Sequence, residues 1–136
     1  NIFGPRQDPS SPYSGVISIF CERAVQGLPI TVFGDGEQTR DFLYVGDLVQ
    51  VMVQALEQPQ VEEGAVNIGL NQATSLNQLL AALEKVVGSL PAISYAAARS
   101  GDIRHSRADN QRLLARFKFA QVTPMVEGLT KLLGKG

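Results

Sequence analysis

The sequence predicts an α/β chain, α+β-like in its balance, in which helices alternate with short strands. Three observations carry that expectation. Apolar residues recur at helical spacing over residues 16–25, 48–56 and 76–87. Between these stretches stand short extended runs, residues 30–33, 42–45, 65–68 and 92–95, punctuated by glycine and proline. The strands are too few and too scattered to close a sheet of their own.

A chain of 136 residues fits one domain, here residues 1–136. At that length it buries about two-thirds of its unfolded surface, enough for a real core. A hydrophobic fraction of 44% is ordinary for a soluble protein. The net charge of −1 leaves no electrostatic footprint for nucleic acid. No apolar run approaches the length of a membrane span. One cysteine, Cys21, cannot form an internal disulfide and suits a reducing compartment, so the expected location is cytoplasmic. With one histidine beside it, the soft ligands for a metal site are missing.

In chain order, Ile2 and Phe3 read as the end of a strand broken by Gly4 and Pro5, so the chain is expected to open inside a larger fold. Residues 7–12 are polar and proline-bearing, a loop. From Tyr13, the positions Val16, Ile17, Phe20, Cys21, Ala24 and Val25 describe a helix that Gly27 and Pro29 stop. Cys21 lies in that stripe, where a thiol is a small buried hydrophobe rather than a nucleophile.

Residues 30–33 form a strand, Gly34-Asp35-Gly36 a sharp turn at positive φ, and residues 42–45 a second extended run closing a central hairpin. Arg40 stands where turn meets strand and is followed at once by Asp41. It reads either as a local surface pair worth little or as an anion clamp, because the guanidinium fork matches phosphate.

Asp47 is placed as the N-cap of the next helix, which Pro59 ends. Residues 65–68 make a short strand between Gly64 and Gly69. Ser75 and Gln78 have capping-box spacing ahead of a helix with a broad leucine face that Gly88 stops. Residues 92–95 follow as a strand, and residues 99–104 as a loop holding Arg99, Asp102 and Arg104. Arg99 and Asp102, three apart, are also placed to pair with each other. Asp109 is expected to cap a short helix ending near Arg116, and Thr123-Pro124 to open the last one. The sequence has no Gly-rich phosphate loop at a strand–helix junction and no Tyr-x-x-x-Lys pair.

Five segments share an order and spacing with a known family: residues 1–9, 34–42, 67–69, 74–79 and 101–109. Together they span essentially the whole chain. They resemble the C-terminal part of an extended short-chain dehydrogenase/reductase, a Rossmann-type fold, without its dinucleotide-binding half. More narrowly they resemble the NAD-dependent nucleotide-sugar epimerases of the UDP-glucose and UDP-N-acetylglucosamine 4-epimerase type.

In that family an N-terminal Rossmann domain carries NAD and the catalytic Tyr–Lys pair, and the C-terminal portion grips the nucleotide sugar. The resemblance therefore implies a substrate-binding portion with no catalytic residues and no cofactor of its own, NAD belonging to the complete enzyme. It implies that Asn1 touches the diphosphate-sugar and that the strand from Thr31 to Phe33 faces uracil, largely through backbone groups. Arg40 and Arg99 would bind the diphosphate and Asp102 a ribose hydroxyl. Arg6 and His105 fall in the matching segments as loop-structuring residues.

The implied partner is a UDP-sugar, with a separate NAD-binding Rossmann chain left open. The runs 6–9 and 101–109 lean toward the N-acetylhexosamine epimerases. The other readings are the same portion of a sugar-nucleotide dehydratase or decarboxylase, a stand-alone UDP-sugar binding module, and a self-associating orphan fragment. The helix after Asp47 and residues 65–68 resemble pieces that pack on the Rossmann sheet. Left uncovered, their apolar faces predict a homo-oligomer.

Overall fold

The computed structural model describes residues 1–10, 15–58, 64–119 and 121–135. Its elements in chain order begin with β1 (Ile2–Phe3), α1 (Val16–Gln26), β2 (Ile30–Phe33), β3 (Thr39–Arg40) and β4 (Leu43–Tyr44). They continue through α2 (Val45–Glu57), β5 (Thr74–Ser75), α3 (Leu76–Val87) and β6 (Ile93–Ala96). The chain closes with α4 (Gln111–Arg116) and α5 (Met125–Leu132). The mixed α/β expectation holds. Among the described residues no helix is long and apolar enough to cross a membrane.

The strands form three two-stranded ribbons. β1 runs parallel to β4, β2 parallel to β6, and β3 antiparallel to β5. No central hairpin forms, because β2 takes its partner from a strand some sixty residues on, Ile30 against Ile93 through Phe33 against Ala96. The turn itself is as expected, with Gly34 at φ 92° and Gly36 at φ 78°. It redirects the chain to β3 instead of folding it back on β2.

The core is built round α3. Leu76, Leu79, Leu80 and Leu83 are buried on one face and meet Phe20, Cys21, Ile30, Val32 and Leu129 in one cluster. α1 turns Ile17, Ser18, Phe20 and Cys21 inward and ends at Gly27, whose φ of 67° lets Leu28 N–H return to Arg23 O at 2.9 Å. Tyr13, expected at the start of this helix, and Pro59, expected as a stop, lie outside the described residues.

Four local expectations give way to tertiary demands. Asp47 is not an N-cap: α2 starts from Tyr44, and Asp47 sits in its first turn, 2% exposed. Its carboxylate accepts from Thr123 N–H at 2.9 Å and from Thr123 Oγ1–H at 2.8 Å. That contact takes the Thr123 hydroxyl away from capping, and α5 is preceded by Pro124 with no side-chain cap. Asn110, not Asp109, holds the cap position of α4, and its amide donates to Gly69 O at 3.0 Å.

Residues 65–68 form no strand, since they have no ladder partner among the described residues. The segment is pinned by side chains instead, Arg112 Nη1–H to Ala65 O at 3.3 Å and Asn67 Nδ2–H to Asp109 O at 3.3 Å.

Candidate functional site

A cleft of about 500 Å³ opens between α1, the β2–β3 segment, the start of α3 and the loop 99–102. That volume lies in the ordinary range for small-molecule sites. Its wall includes Asn1, Thr31, Phe33, Arg40, Arg99 and Asp102, all six residues singled out from the sequence.

Arg40 does not pair with Asp41. Its Nη2 donates to Asp102 Oδ1 at 2.7 Å, and its Nη1 to Thr39 O at 2.9 Å and Ile103 O at 2.6 Å. The described contacts thus use three of the five guanidinium N–H groups. Arg40 is 16% exposed and Asp102 37%, so the pair is only partly screened by water. Asp41 points the other way. It is 7% exposed and accepts from the backbone N–H groups of Leu70, Asn71 and Ala108 at 3.1, 3.0 and 3.2 Å.

Arg99 and Asp102 do not pair through their side chains either. The Arg99 guanidinium carbon lies 3.8 Å from the centre of the Phe33 ring, a cation–π stack that holds its charge at the rim of the cleft. Asp102 N–H donates to Arg99 O at 3.2 Å, closing the turn between them.

The loop carrying these residues is tied to β3. Thr39 N–H donates to Arg104 O at 2.9 Å, Ser106 N–H to Thr39 O at 3.1 Å, and Thr39 Oγ1 lies 3.0 Å from His105 Nδ1. Arg104 grips Asp35 with two bonds of 3.0 and 2.8 Å, and those bonds hold the Asp35 carboxyl below its usual range. His105 is therefore a loop-structuring residue. Arg6 sits in a left-handed turn at φ 68°.

Two features of the wall were not assigned from sequence. Gln38 is 5% exposed, lines the cleft, and donates through Nε2 to Phe33 O, fixing the turn after β2. Its only signal was membership in the 34–42 segment. Ile19 and Phe20 supply an apolar wall. Ile19 lies off the core stripe of α1 and is 40% exposed, so an apolar residue on the wrong face was its available signal. Cys21 is buried behind that wall, and desolvation pushes its thiol up to about 12, so it is not a nucleophile near neutral pH. Among the described residues no group of three His, Cys, Asp or Glu side chains could hold a metal ion.

Residues 1–69 match the model of the NAD dependent epimerase/dehydratase family. The chain belongs to this family. The UDP-glucose 4-epimerase of Mycolicibacterium smegmatis is 35% identical over 131 residues, covering 96% of this chain and 41% of that protein. UDP-glucuronic acid decarboxylase 1 of Xenopus tropicalis is 36% identical over 133 residues, covering 98% of this chain and 31% of that protein. The crystal structure of a Thermotoga maritima UDP-glucose 4-epimerase with UDP-glucose superposes with a TM-score of 0.85 at 34% identity. That match covers 98% of this chain and 42% of the Thermotoga chain. The chain thus spans between 31% and 42% of the length of these relatives.

Proposed function

We propose that this chain is the substrate-binding portion, residues 1–136, of an NAD-dependent UDP-sugar 4-epimerase. One observation carries the reading: two arginines and an aspartate, Arg40 from β3 and Arg99 and Asp102 from the loop 99–102, face a single cleft of ligand size. Arg40 and Arg99 hold the diphosphate from two sides, each charge-assisted bond contributing roughly 1.5–3 kcal/mol. Asp102, acceptor-only when ionised, takes a ribose hydroxyl. The strand from Thr31 to Phe33 faces the uracil and Asn1 the diphosphate-sugar. The Thermotoga enzyme's complex with UDP-glucose supports a UDP-sugar as the ligand class.

NAD, held by a dinucleotide-binding Rossmann half, supplies the hydride acceptor and donor in this reading. The residues present do not fit that cofactor: the sequence has neither a Gly-rich phosphate loop nor a Tyr-x-x-x-Lys pair. No hydride step runs through them. Their part is to hold the substrate by groups remote from the reacting carbon, which is the positioning contribution to catalysis.

Two further statements belong to the proposal. A separate or continuous Rossmann half completes the enzyme. Where that half is missing, the chain associates with itself through the apolar stripe of α2. The identity to the Xenopus decarboxylase favours a second reading, the same portion of a decarboxylase or dehydratase, in which residues of the other half decide the chemistry.

The test is calorimetric titration of the purified chain with UDP and with UDP-N-acetylglucosamine. Saturable binding is expected, weakened at least tenfold by Arg40→Ala, as the loss of one charge-assisted contact requires. No heat with either ligand overturns the proposal that this portion is a working site by itself.

A further inference from the structure

We propose that Asn77 is a positioning residue for the cleft: one amide on α3 ties together both ends of the loop that carries Arg99 and Asp102. The proposal rests on the nucleotide-sugar reading above and extends it to a side chain that does not itself line the cleft.

The loop leaves β6 after Ala96 and is held at its far end through Arg104. Just before the loop, Tyr95 O–H donates to Asn77 Oδ1 at 2.9 Å. At the far end, Arg104 grips the Asp35 carboxylate with two bonds, and the backbone carbonyl of Asp35 accepts from Asn77 Nδ2 at 3.1 Å. Nδ2 also donates to Glu37 Oε1 at 2.6 Å, so both hydrogens of the amide go to the turn 35–37. Only this orientation of the amide serves all three partners, because the reversed one sets Oδ1 against two acceptor oxygens.

The turn is shaped to receive the amide. Asn77 is the second residue of α3, and its backbone N–H, a donor that a helix start leaves unpaired, goes to Gly36 O at 3.1 Å. Leu76 N–H goes to Gln38 O at 3.3 Å in the same way. Gly36 stands at φ 78°, and a Cβ there would overlap Asn77 Oδ1. Phe33, on whose ring Arg99 stacks, ends the strand before this turn and pairs with Ala96 at the root of the loop. Asn77 therefore fixes the spacing between the two roots of the loop, and with it the seat of Arg99 over Phe33. A satisfied polar network of this kind holds a charged group in one place, which is what positioning requires.

The stack supplies the signal for a test, since protons over the face of the Phe33 ring resonate upfield. Proton–nitrogen correlation NMR of the full chain reads Arg99 Nε–H in the wild type, Asn77→Ala, Tyr95→Phe and Ser75→Ala, beside thermal melts and UDP titration. Asn77→Ala is expected to lose the upfield shift and to bind UDP about fivefold more weakly, the scale of one hydrogen bond. Tyr95→Phe cuts one arm alone and keeps the ring, and is expected to lose part of the shift. Ser75→Ala loosens the start of α3 without touching the amide, and is expected to lower the melting temperature with the shift intact. An Arg99 signal unmoved by Asn77→Ala or by Tyr95→Phe overturns the proposal. So does an equal loss in Ser75→Ala, which would make the effect one of stability alone. A wild type that binds no UDP overturns the nucleotide-sugar reading instead, and the Arg99 signal still decides whether Asn77 sets the loop.

Discussion

Arg40 and Asp41 are neighbours in sequence and face opposite ways in the fold. Arg40 turns to the cleft, and Asp41 is buried beneath it as the acceptor for three backbone N–H groups of the 70–71 and 108 segments. Asp41 is thus the pin that holds two loops against β3. Replacing it with alanine leaves those donors unpaired in a buried place, which costs about 3–4 kcal/mol. Urea denaturation is expected to show that loss at unchanged m, and a loss under 1 kcal/mol would show that the loops do not depend on the pin. Gly69 belongs to the same arrangement. A Cβ there would lie 2.7 Å from Ala108 Cβ and 2.9 Å from Asp41 Oδ2. The segment 34–42 marked Arg40 for phosphate from sequence because guanidinium chemistry and the family's spacing agree. The destiny of Asp41 was not legible, since its partners lie about thirty and seventy residues away.

At the scale of the element, legibility follows how local the cause is. The capping box of α3 needs only residues three apart, and both its bonds form: Gln78 N–H to Ser75 Oγ at 3.1 Å and Ser75 N–H to Gln78 Oε1 at 2.9 Å. Because α3 is the helix round which the core is built, its cap bears on the whole chain. Ser75→Ala is expected to lower stability by about 1 kcal/mol, seen as a downward shift of the urea midpoint. A neutral result would mean that the leucine face alone sets the start of the helix. Two of the misread caps have the opposite cause. Asp47 and Thr123 are good capping residues, and each has its polar atoms bonded to the other across 76 residues, whereas Asp109 accepts from Gln111 N–H at 3.0 Å and leaves the cap position to Asn110. Residues 65–68 have a strand's composition, but a strand exists only where another supplies the ladder.

For the whole molecule, the main tension is between a well-formed core round α3 and an uncovered α2. Of the thirteen residues of α2, only Asp47 and Val51 are buried. Val49, Met52, Val53 and Leu56 recur at the spacing of one helical face and are 49%, 53%, 46% and 87% exposed. Water-facing stripes of that kind drive association, because burying each large apolar side chain is worth roughly 1.5–3 kcal/mol. Self-association through this stripe is therefore the expected state of the isolated chain. Multi-angle light scattering should give a mass above that of one 14.6 kDa chain, and Met52→Glu with Leu56→Glu should return it to a monomer. None of the four stripe residues lines the cleft, so UDP binding should survive those substitutions. A wild type that is monodisperse as a monomer would remove self-association from the proposal. Loss of UDP binding along with loss of the oligomer would instead tie the site to the assembly, and place a neighbouring copy within reach of Arg40 and Arg99.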